Sequence, residues 1–218
     1  VTIIYQDQHI VVVDKPSGFL SVPGRGVEKI DSVAHRISTI IPGCIDQPAV
    51  HRLDMDTSGL LVLALTKDAH RNLSKQFQDR LTEKEYIALL DGALPKEHGN
   101  SGTITLPFRL DIENRPYQIY DEIHGKMGIS HWRRISVENG ITRIHFQPIT
   151  GRTHQLRIHS AHPKGLGLPI LAGPLYGNGA DPGKMKLHAG KLSFDHPGTS
   201  ERLTFTSPVP LSMSTTQM

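Results

Sequence analysis

Two short stretches of the sequence combine arginine, histidine and carboxylate or amide side chains at spacings that could do chemistry. The first runs from His51 to Gly59 and reads His-Arg-Leu-Asp-Met-Asp-Thr-Ser-Gly. The second runs from Gly151 to His159 and reads Gly-Arg-Thr-His-Gln-Leu-Arg-Ile-His. Arg157 in the second stretch could pair with a carboxylate through two parallel hydrogen bonds and hold it ionised. An ionised carboxylate is the form that a catalytic base or nucleophile requires, and Asp54 is the candidate.

Both stretches also have a purely structural interpretation. A carboxylate just before a buried strand is often solvated or caps a turn, which fits Asp56 and could fit Asp54. The second stretch could be a surface helix with solvated charges, with His154, Arg157 and Ile158 on one face. Composition alone does not choose between these interpretations.

Other reactive residue types narrow the possible chemistry. Tyr86 lies in a predicted strand and is either a core aromatic with a tethered hydroxyl or a stacking platform for a nucleobase. The thirteen histidines predict no metal site, because His154 and His159 are five residues apart and an acid-rich cluster is missing. Cys44 has no neighbouring base, and neither a phosphate-binding loop nor a nucleophile elbow is present.

The composition describes a globular chain that can bind a polyanion. With 218 residues and 37% apolar content, the chain can bury one sizeable catalytic domain or two intimately packed halves. A net charge of +3 and a pI near 9.0 permit a nucleic-acid partner without requiring one. A single cysteine suits a reducing compartment, and we find neither a membrane-length apolar run nor a signal peptide, so we expect a cytoplasmic protein.

Hydrophobic periodicity and turn residues predict more strands than helices, which indicates an α+β fold with a mixed, mostly antiparallel sheet. Asn139-Gly140 predicts a hairpin turn. The predicted strands are 1–5, 10–14, 60–65, 85–90, 103–110, 129–137, 141–147, 187–194 and 203–206. The predicted helices are 32–40 with Val33, Ile37, Ile40 and Ile41 on one face, a second from its N-cap Thr66 to 80, and a third from its N-cap Thr153 to 162.

Five ordered stretches resemble the motifs of the RluA-type pseudouridine synthase family, and together they span nearly the whole chain. The run from His51 to Gly59 resembles the catalytic motif, and Gly151–His159 resembles the third motif. The other three are Val13–Gly18, Lys84–Tyr86 and Lys186–Ala189. The resemblance implies one pseudouridine synthase catalytic domain over residues 1–218, with helices and loops flanking the sheet and an active-site cleft across it. The first motif begins almost at once, so we expect no S4-like RNA-binding domain.

The resemblance also implies roles for individual residues. The catalytic carboxylate falls on Asp54, the base-stacking tyrosine on Tyr86 and the arginine that pairs with the carboxylate on Arg157. Leu156 would line the pocket, and Arg52 would fill the stack from which the target uridine is flipped. Basic residues would hold RNA phosphates, with ordinary surface charge as the alternative; they are Lys15, Lys84 and Arg152.

The implied activity is the isomerisation of specific uridines to pseudouridine in 23S ribosomal RNA, transfer RNA or both, by a monomer without metal or cofactor. Two alternatives stay open. A catalytically silent RNA-binding protein could act as an RNA chaperone, although an intact Asp54, Tyr86 and Arg157 argue against it. A metal-dependent hydrolase would require a ligand cluster that the sequence does not predict.

Overall fold

The structure is a computed structural model that describes residues 1–213, over which strands outnumber helices. The strands are β1 (Thr2–Gln6), β2 (Ile10–Lys15), β3 (Ser58–Ala64), β4 (Glu83–Leu90), β5 (Ser101–Leu110), β6 (Gln118–Tyr120), β7 (Lys126–Glu138), β8 (Ile141–Pro148), β9 (Leu187–Asp195) and β10 (Arg202–Thr206). The helices are α1 (Val33–Ile40), α2 (Lys67–Gln78) and α3 (Gln155–Ala161), with short 3-10 helices at Val27–Lys29, Lys96–His98 and Leu211–Met213. The predicted α+β class with a mostly antiparallel sheet is confirmed.

The chain forms two compact units, and the first comprises residues 1–84 and 189–208. Its strands follow the order β1-β2-β3-β9, and β10 pairs with β9. The apolar runs of β2 and β3 are buried almost throughout, which explains why they are continuous rather than alternating. Helix α2 packs Ala69 and Leu73 into this core, and the predicted cap is confirmed because Thr66 Oγ1 accepts the Ala69 N–H at 3.2 Å.

Helix α1 of unit 1 begins where the sequence predicts. Ser32 caps it by accepting the His35 N–H at 3.3 Å, and Val33 and Ile37 are buried. The prediction that Ile40 shares this buried face is wrong, because Ile40 is the last helical residue and is 61% exposed.

Unit 2 comprises residues 85–188 together with the described residues from 209 to 213. Its strands follow the order β4-β8-β7-β5-β6, and all neighbouring pairs are antiparallel. Buried and partly exposed residues alternate along β8, so one face of this sheet packs on the core of the unit. The β7–β8 hairpin turns at Asn139 and Gly140 with φ values of 51° and 75°, as the sequence predicts.

Two features of unit 2 were not predicted correctly from the sequence. Strand β6 has three residues in a polar segment next to Pro116, too short for a periodicity to emerge. The cap of α3 was predicted wrongly, since the helix begins after His154 in the left-handed conformation (φ 56°) and not after Thr153. The single catalytic domain over residues 1–218 stays a prediction, and its last five residues lie outside the described part of the chain.

Candidate active site

In unit 1, the loop that carries Asp54 is anchored at residues on both sides of it. Ser21 Oγ donates to the Leu53 carbonyl at 2.7 Å and accepts the Leu53 N–H at 3.0 Å. On the other side, the Met55 carbonyl accepts the N–H of Gly18 at 2.9 Å. The loop closes on itself through the Thr57 N–H, which donates to the Asp54 carbonyl at 3.0 Å. The backbone that presents Asp54 is therefore fixed by the preceding loop, residues 16–21.

Lys15 is the buried centre of this anchoring. Its side chain is fully buried, and its ammonium donates to the carbonyls of Pro16 at 2.9 Å, Phe19 at 2.7 Å and Met55 at 2.9 Å. Burial lowers the pKa of Lys15 to about 8, although the carboxylates of Asp56 and Asp54 favour its charged form. All three ammonium donors are used inside the protein, so the assignment of Lys15 to RNA phosphates must be corrected: its role is to hold the Asp54 loop.

His51, at the start of the same loop, makes structural contacts that the sequence did not predict. Its Nε2 accepts the Val62 N–H at 3.1 Å, and its ring stacks on Phe77 with a centroid distance of 4.3 Å. Burial, with the positive charge of Lys84, lowers the pKa of His51 to about 3, so the ring is neutral. A neutral imidazole with Nε2 as acceptor ties the loop to β3 and α2.

The end of the loop depends on a glycine. Gly59 has φ of 112°, and a side chain there would collide with the backbone of Ala189 on β9. The motif's final glycine therefore permits the close approach of two neighbouring strands directly after the loop.

Two further predicted cations lie in unit 1 in different environments. Arg52 is exposed at the loop surface. Lys84 is partly buried, with its ammonium 6.0 Å from the centre of the Phe77 ring, and burial lowers its pKa. Arg52 is therefore open to solvent two residues before Asp54 in the sequence, whereas the ammonium of Lys84 is held close to an aromatic ring.

In unit 2, Tyr86 lies on β4 opposite Phe146 of β8 and is partly buried against the core of the unit. The Oε2 atom of its neighbour Glu85 lies 2.8 Å from Nε2 of His145, at hydrogen-bonding distance. Since side chains alternate along a strand, the polar pair occupies the opposite face of the sheet from Tyr86. The stacking role of Tyr86 stays a prediction.

Helix α3 is buried, not a surface helix. Every residue from Gln155 to Ser160 is buried, and Leu156 is a core residue. The side chain of Gln155, the first residue of the helix, is held by the segment before it: its Oε1 accepts from Thr150 Oγ1 at 2.6 Å and from the Arg152 N–H at 3.2 Å. The interpretation of Gly151–His159 as a surface helix with solvated charges is therefore wrong.

The two arginines of this stretch contact neighbouring backbone. Arg157 donates through Nη2 to the Pro174 carbonyl, and its guanidinium lies 5.3 Å from the ring centre of Tyr176. Arg152 donates through Nη1 to the carbonyls of Phe108 and Lys126, and burial lowers its pKa. Since Nη1 is used inside the protein, only the other N–H groups of Arg152 are left for the predicted contact with an RNA phosphate.

Within residues 1–213, no group of three or more histidine, cysteine or acidic side chains is placed to hold a metal ion. The same part of the chain contains no helix with the length and apolar character needed to cross a membrane.

Comparison with known proteins identifies the family. The model of the RNA pseudouridylate synthase family matches residues 9–162, which include the Asp54 loop, Tyr86 and α3. The chain belongs to this family. The pseudouridine synthase predicted from the motifs, an isomerase that acts on RNA, is thereby confirmed as the enzyme class.

Relatives of the synthase match over most of their length. The chain is 44% identical over 206 residues to the dual-specificity RNA pseudouridine synthase RluA of Haemophilus ducreyi, covering 93% of this chain and 90% of that protein. It is 42% identical to the enzyme of the same name from Escherichia coli K12, covering 94% and 92%. The predicted RluA-type relationship is therefore confirmed.

Two solved structures share the fold of the synthase. Human RNA pseudouridylate synthase domain containing 1 superposes with a TM-score of 0.75 at 26% identity, over 98% of this chain and 86% of that one. Human RNA pseudouridylate synthase domain containing 4 gives a TM-score of 0.72 at 22% identity, over 97% and 90%, and at that identity it supports the fold alone.

Proposed function

We propose that this pseudouridine synthase isomerises specific uridines in stem-loops of 23S ribosomal RNA, transfer RNA or both, with Asp54 as its catalytic carboxylate. The observation that carries the proposal is the anchoring of the Asp54 loop at Leu53 and Met55, on either side of the carboxylate. The relatives named above are called dual-specificity enzymes, which supports more than one RNA substrate. Their bacterial sources and the chain's single cysteine support a cytoplasmic enzyme, and we propose that it acts as a monomer.

The reaction needs a carboxylate and no redox chemistry. The glycosidic C1′–N1 bond of uridine breaks, the uracil rotates, and C5 bonds to C1′; the proton lost from C5 is balanced by one gained at N1. Asp54 acts either as a nucleophile at C1′ or as a base at C2′, and both routes require it ionised. The proposal involves neither metal nor cofactor.

The other residues take supporting roles in the proposal. The target base leaves the RNA stack at a cost of a few kcal/mol, and Arg52, an exposed residue of the Asp54 loop, fills the gap. Tyr86 stacks on the uracil, Leu156 lines its pocket, and Arg157 is the charge partner of the catalytic carboxylate. Lys84 and Arg152 contribute positive charge toward phosphates.

The test uses RNA labelled with tritium at C5 of uridine, because pseudouridine formation releases this tritium to water. We expect Asp54→Asn to lower the single-turnover rate by about 10³-fold or more while RNA affinity is unchanged. Asp46→Asn, which alters an exposed aspartate of the same unit, is the matched control and should react like the wild type.

Two other results would overturn the proposal. Release by Asp54→Asn at the wild-type rate would remove Asp54 from the chemistry. If the wild type bound ribosomal and transfer RNA without releasing tritium from either, the silent RNA-chaperone alternative would take its place. Mapping pseudouridine in RNA from cells with and without the gene then identifies the substrate positions.

A further inference from the structure

A strained turn in unit 2 contacts the buried Arg157. The Tyr176 N–H donates to the Pro174 carbonyl at 3.0 Å, and Leu175 between them has φ of 75°. This i to i+2 hydrogen bond around a residue with positive φ is a γ-turn of the rarer, strained form. Such strain persists only where surrounding contacts over-determine it, and it is concentrated at functional sites.

Both ends of this turn hold the same guanidinium. The Pro174 carbonyl accepts from Nη2 of Arg157 as well as from the turn's own N–H, and the Tyr176 ring faces the guanidinium at 5.3 Å. Arg157 is only 4% exposed, so the contact between cation and ring is largely desolvated and correspondingly strong. Rotating the guanidinium would break the hydrogen bond and the ring contact together.

Tyr176 is itself held rigidly. Its hydroxyl accepts the Gln118 N–H at 2.7 Å and lies 3.1 Å from Nδ1 of His154. The rings of His154 and Tyr117 both meet the Tyr176 ring edge-on, each with a centroid distance of 5.7 Å. Strand β6, the loop before it and the start of α3 therefore fix the ring that faces Arg157.

We propose that Tyr176 is a positioning residue for Arg157, and that the turn at residues 174–176 sets the direction in which this guanidinium points. The inference rests on the proposed function, because the orientation of Arg157 affects catalysis only if Arg157 is the charge partner of the catalytic carboxylate. Tyr176 acts through Arg157 and needs no contact with RNA.

The first test is independent of activity. In ¹⁵N-labelled protein, the Arg157 Nη–H signals, assigned by their loss in Arg157→Lys, report rotation about the Nε–Cζ bond, because this rotation exchanges Nη1 with Nη2. We expect restricted rotation in the wild type and in Tyr176→Phe, which keeps the ring, and faster exchange in Tyr176→Leu. Unchanged rotation in Tyr176→Leu would overturn the proposal even if the enzyme's activity were as proposed. Tyr5→Leu, which removes a partly buried tyrosine of unit 1, is the matched control and should leave the rotation as it is in the wild type.

The second test measures coupling in the reaction. Tyr176→Leu should lower the single-turnover rate at saturating RNA by about 30-fold, the rate equivalent of a desolvated cation–π contact, and leave RNA affinity within about threefold. Tyr176→Phe should recover most of the rate. In an Arg157→Ala background, Tyr176→Leu should add little, because its target is gone.

A general structural role gives a different pattern, namely an equal loss of rate in both backgrounds, and this result would also overturn the proposal. If the wild type released no tritium from any RNA, the proposed function would fail, whereas the Nη–H measurement would still decide whether Tyr176 orders Arg157.

Discussion

The Asp54 loop of unit 1 and helix α3 of unit 2 carry the proposed catalytic groups, and the protein fixes them by opposite means. The loop is held by side chains that lie outside its centre and act on its backbone, chiefly Lys15 and Ser21. Helix α3 is held by its own side chains, which reach out to the backbone of neighbouring segments, as Gln155 does to the Ile129 carbonyl.

Because of this difference, a substitution can change stability without touching a proposed catalytic side chain in unit 1, but not at Arg157 in unit 2. In unit 1, the loop can be loosened through Lys15 without touching the Asp54 side chain. In unit 2, Arg157 contacts the Pro174 carbonyl and the Tyr176 ring, so one side chain is both structural and proposed to be functional. Variants that act on the supporting residues, rather than on the proposed catalytic ones, therefore test the comparison most directly.

The largest effect is expected in unit 1 from Lys15→Met. The variant keeps the volume of the buried side chain but removes the donor of three carbonyl hydrogen bonds, so we expect the free energy of unfolding to fall by about 3 kcal/mol. Urea unfolding followed by far-UV circular dichroism measures the loss, and Lys29→Met, at an exposed lysine of the same unit, should stay within about 0.5 kcal/mol.

The same variant checks the corrected role of Lys15 in RNA binding. Under conditions in which the variant is still folded, the slope of log RNA affinity against log salt concentration should match that of the wild type. Lys15 contacts no phosphate and therefore displaces no counterion from the RNA. A slope reduced by about one would return Lys15 to the phosphate contacts.

The second prediction concerns acid stability, through His159 of α3. The side chain is fully buried, and burial, with the charge of Arg152, lowers its pKa to about 4. In the unfolded chain His159 binds a proton near pH 6.5, and in the folded chain only near pH 4. The contribution of the neutral His159 to the free energy of unfolding is therefore fully present above pH 6.5 and is lost as the pH falls toward 4. His159→Leu should flatten the decline between these values by up to about 1.4 kcal/mol per pH unit.

Urea unfolding followed by the fluorescence of Trp132, which lies in unit 2, measures this decline. The matched variant in unit 1 is His51→Leu. It should also flatten the acid decline, but it should lower stability at pH 7.5 by about 1–3 kcal/mol, because the Val62 N–H loses its acceptor. Equal pH slopes in the wild type and His159→Leu would contradict the neutral, buried state of His159.

The smallest effect is expected from Ala172→Gly, just before the strained turn. Ala172 has φ of 53°, a left-handed conformation that costs a residue with a side chain roughly 1–2 kcal/mol. Glycine removes this strain, but it also makes the unfolded chain more flexible, which offsets part of the gain in stability. We expect a gain of about 0.5 kcal/mol in the free energy of unfolding. Ala180→Gly, where φ is not positive, should lose stability instead, and a loss at both positions would argue against strain at Ala172.

Local signals in the sequence predicted most of the elements. The apolar runs that became β2 and β3, the Thr66 cap and the Asn-Gly hairpin each depend on residues a few positions apart. The predictions failed at Ile40, where the core ends, and at Thr153, where the left-handed conformation of His154 sets the start of the helix; hydrophobic periodicity encodes neither feature.

By itself, the sequence determined the α+β class, the family and the candidates Asp54, Tyr86 and Arg157, because motif order and hydrophobic period are properties of the chain. Only the tertiary structure decided that Lys15 is a buried anchor bonded 40 residues away at Met55, and that Arg157 rests on Tyr176. The physical reason is that burial and partner are set by distant segments. A lysine is normally solvated, and only a fold that supplies three carbonyls makes it part of the interior.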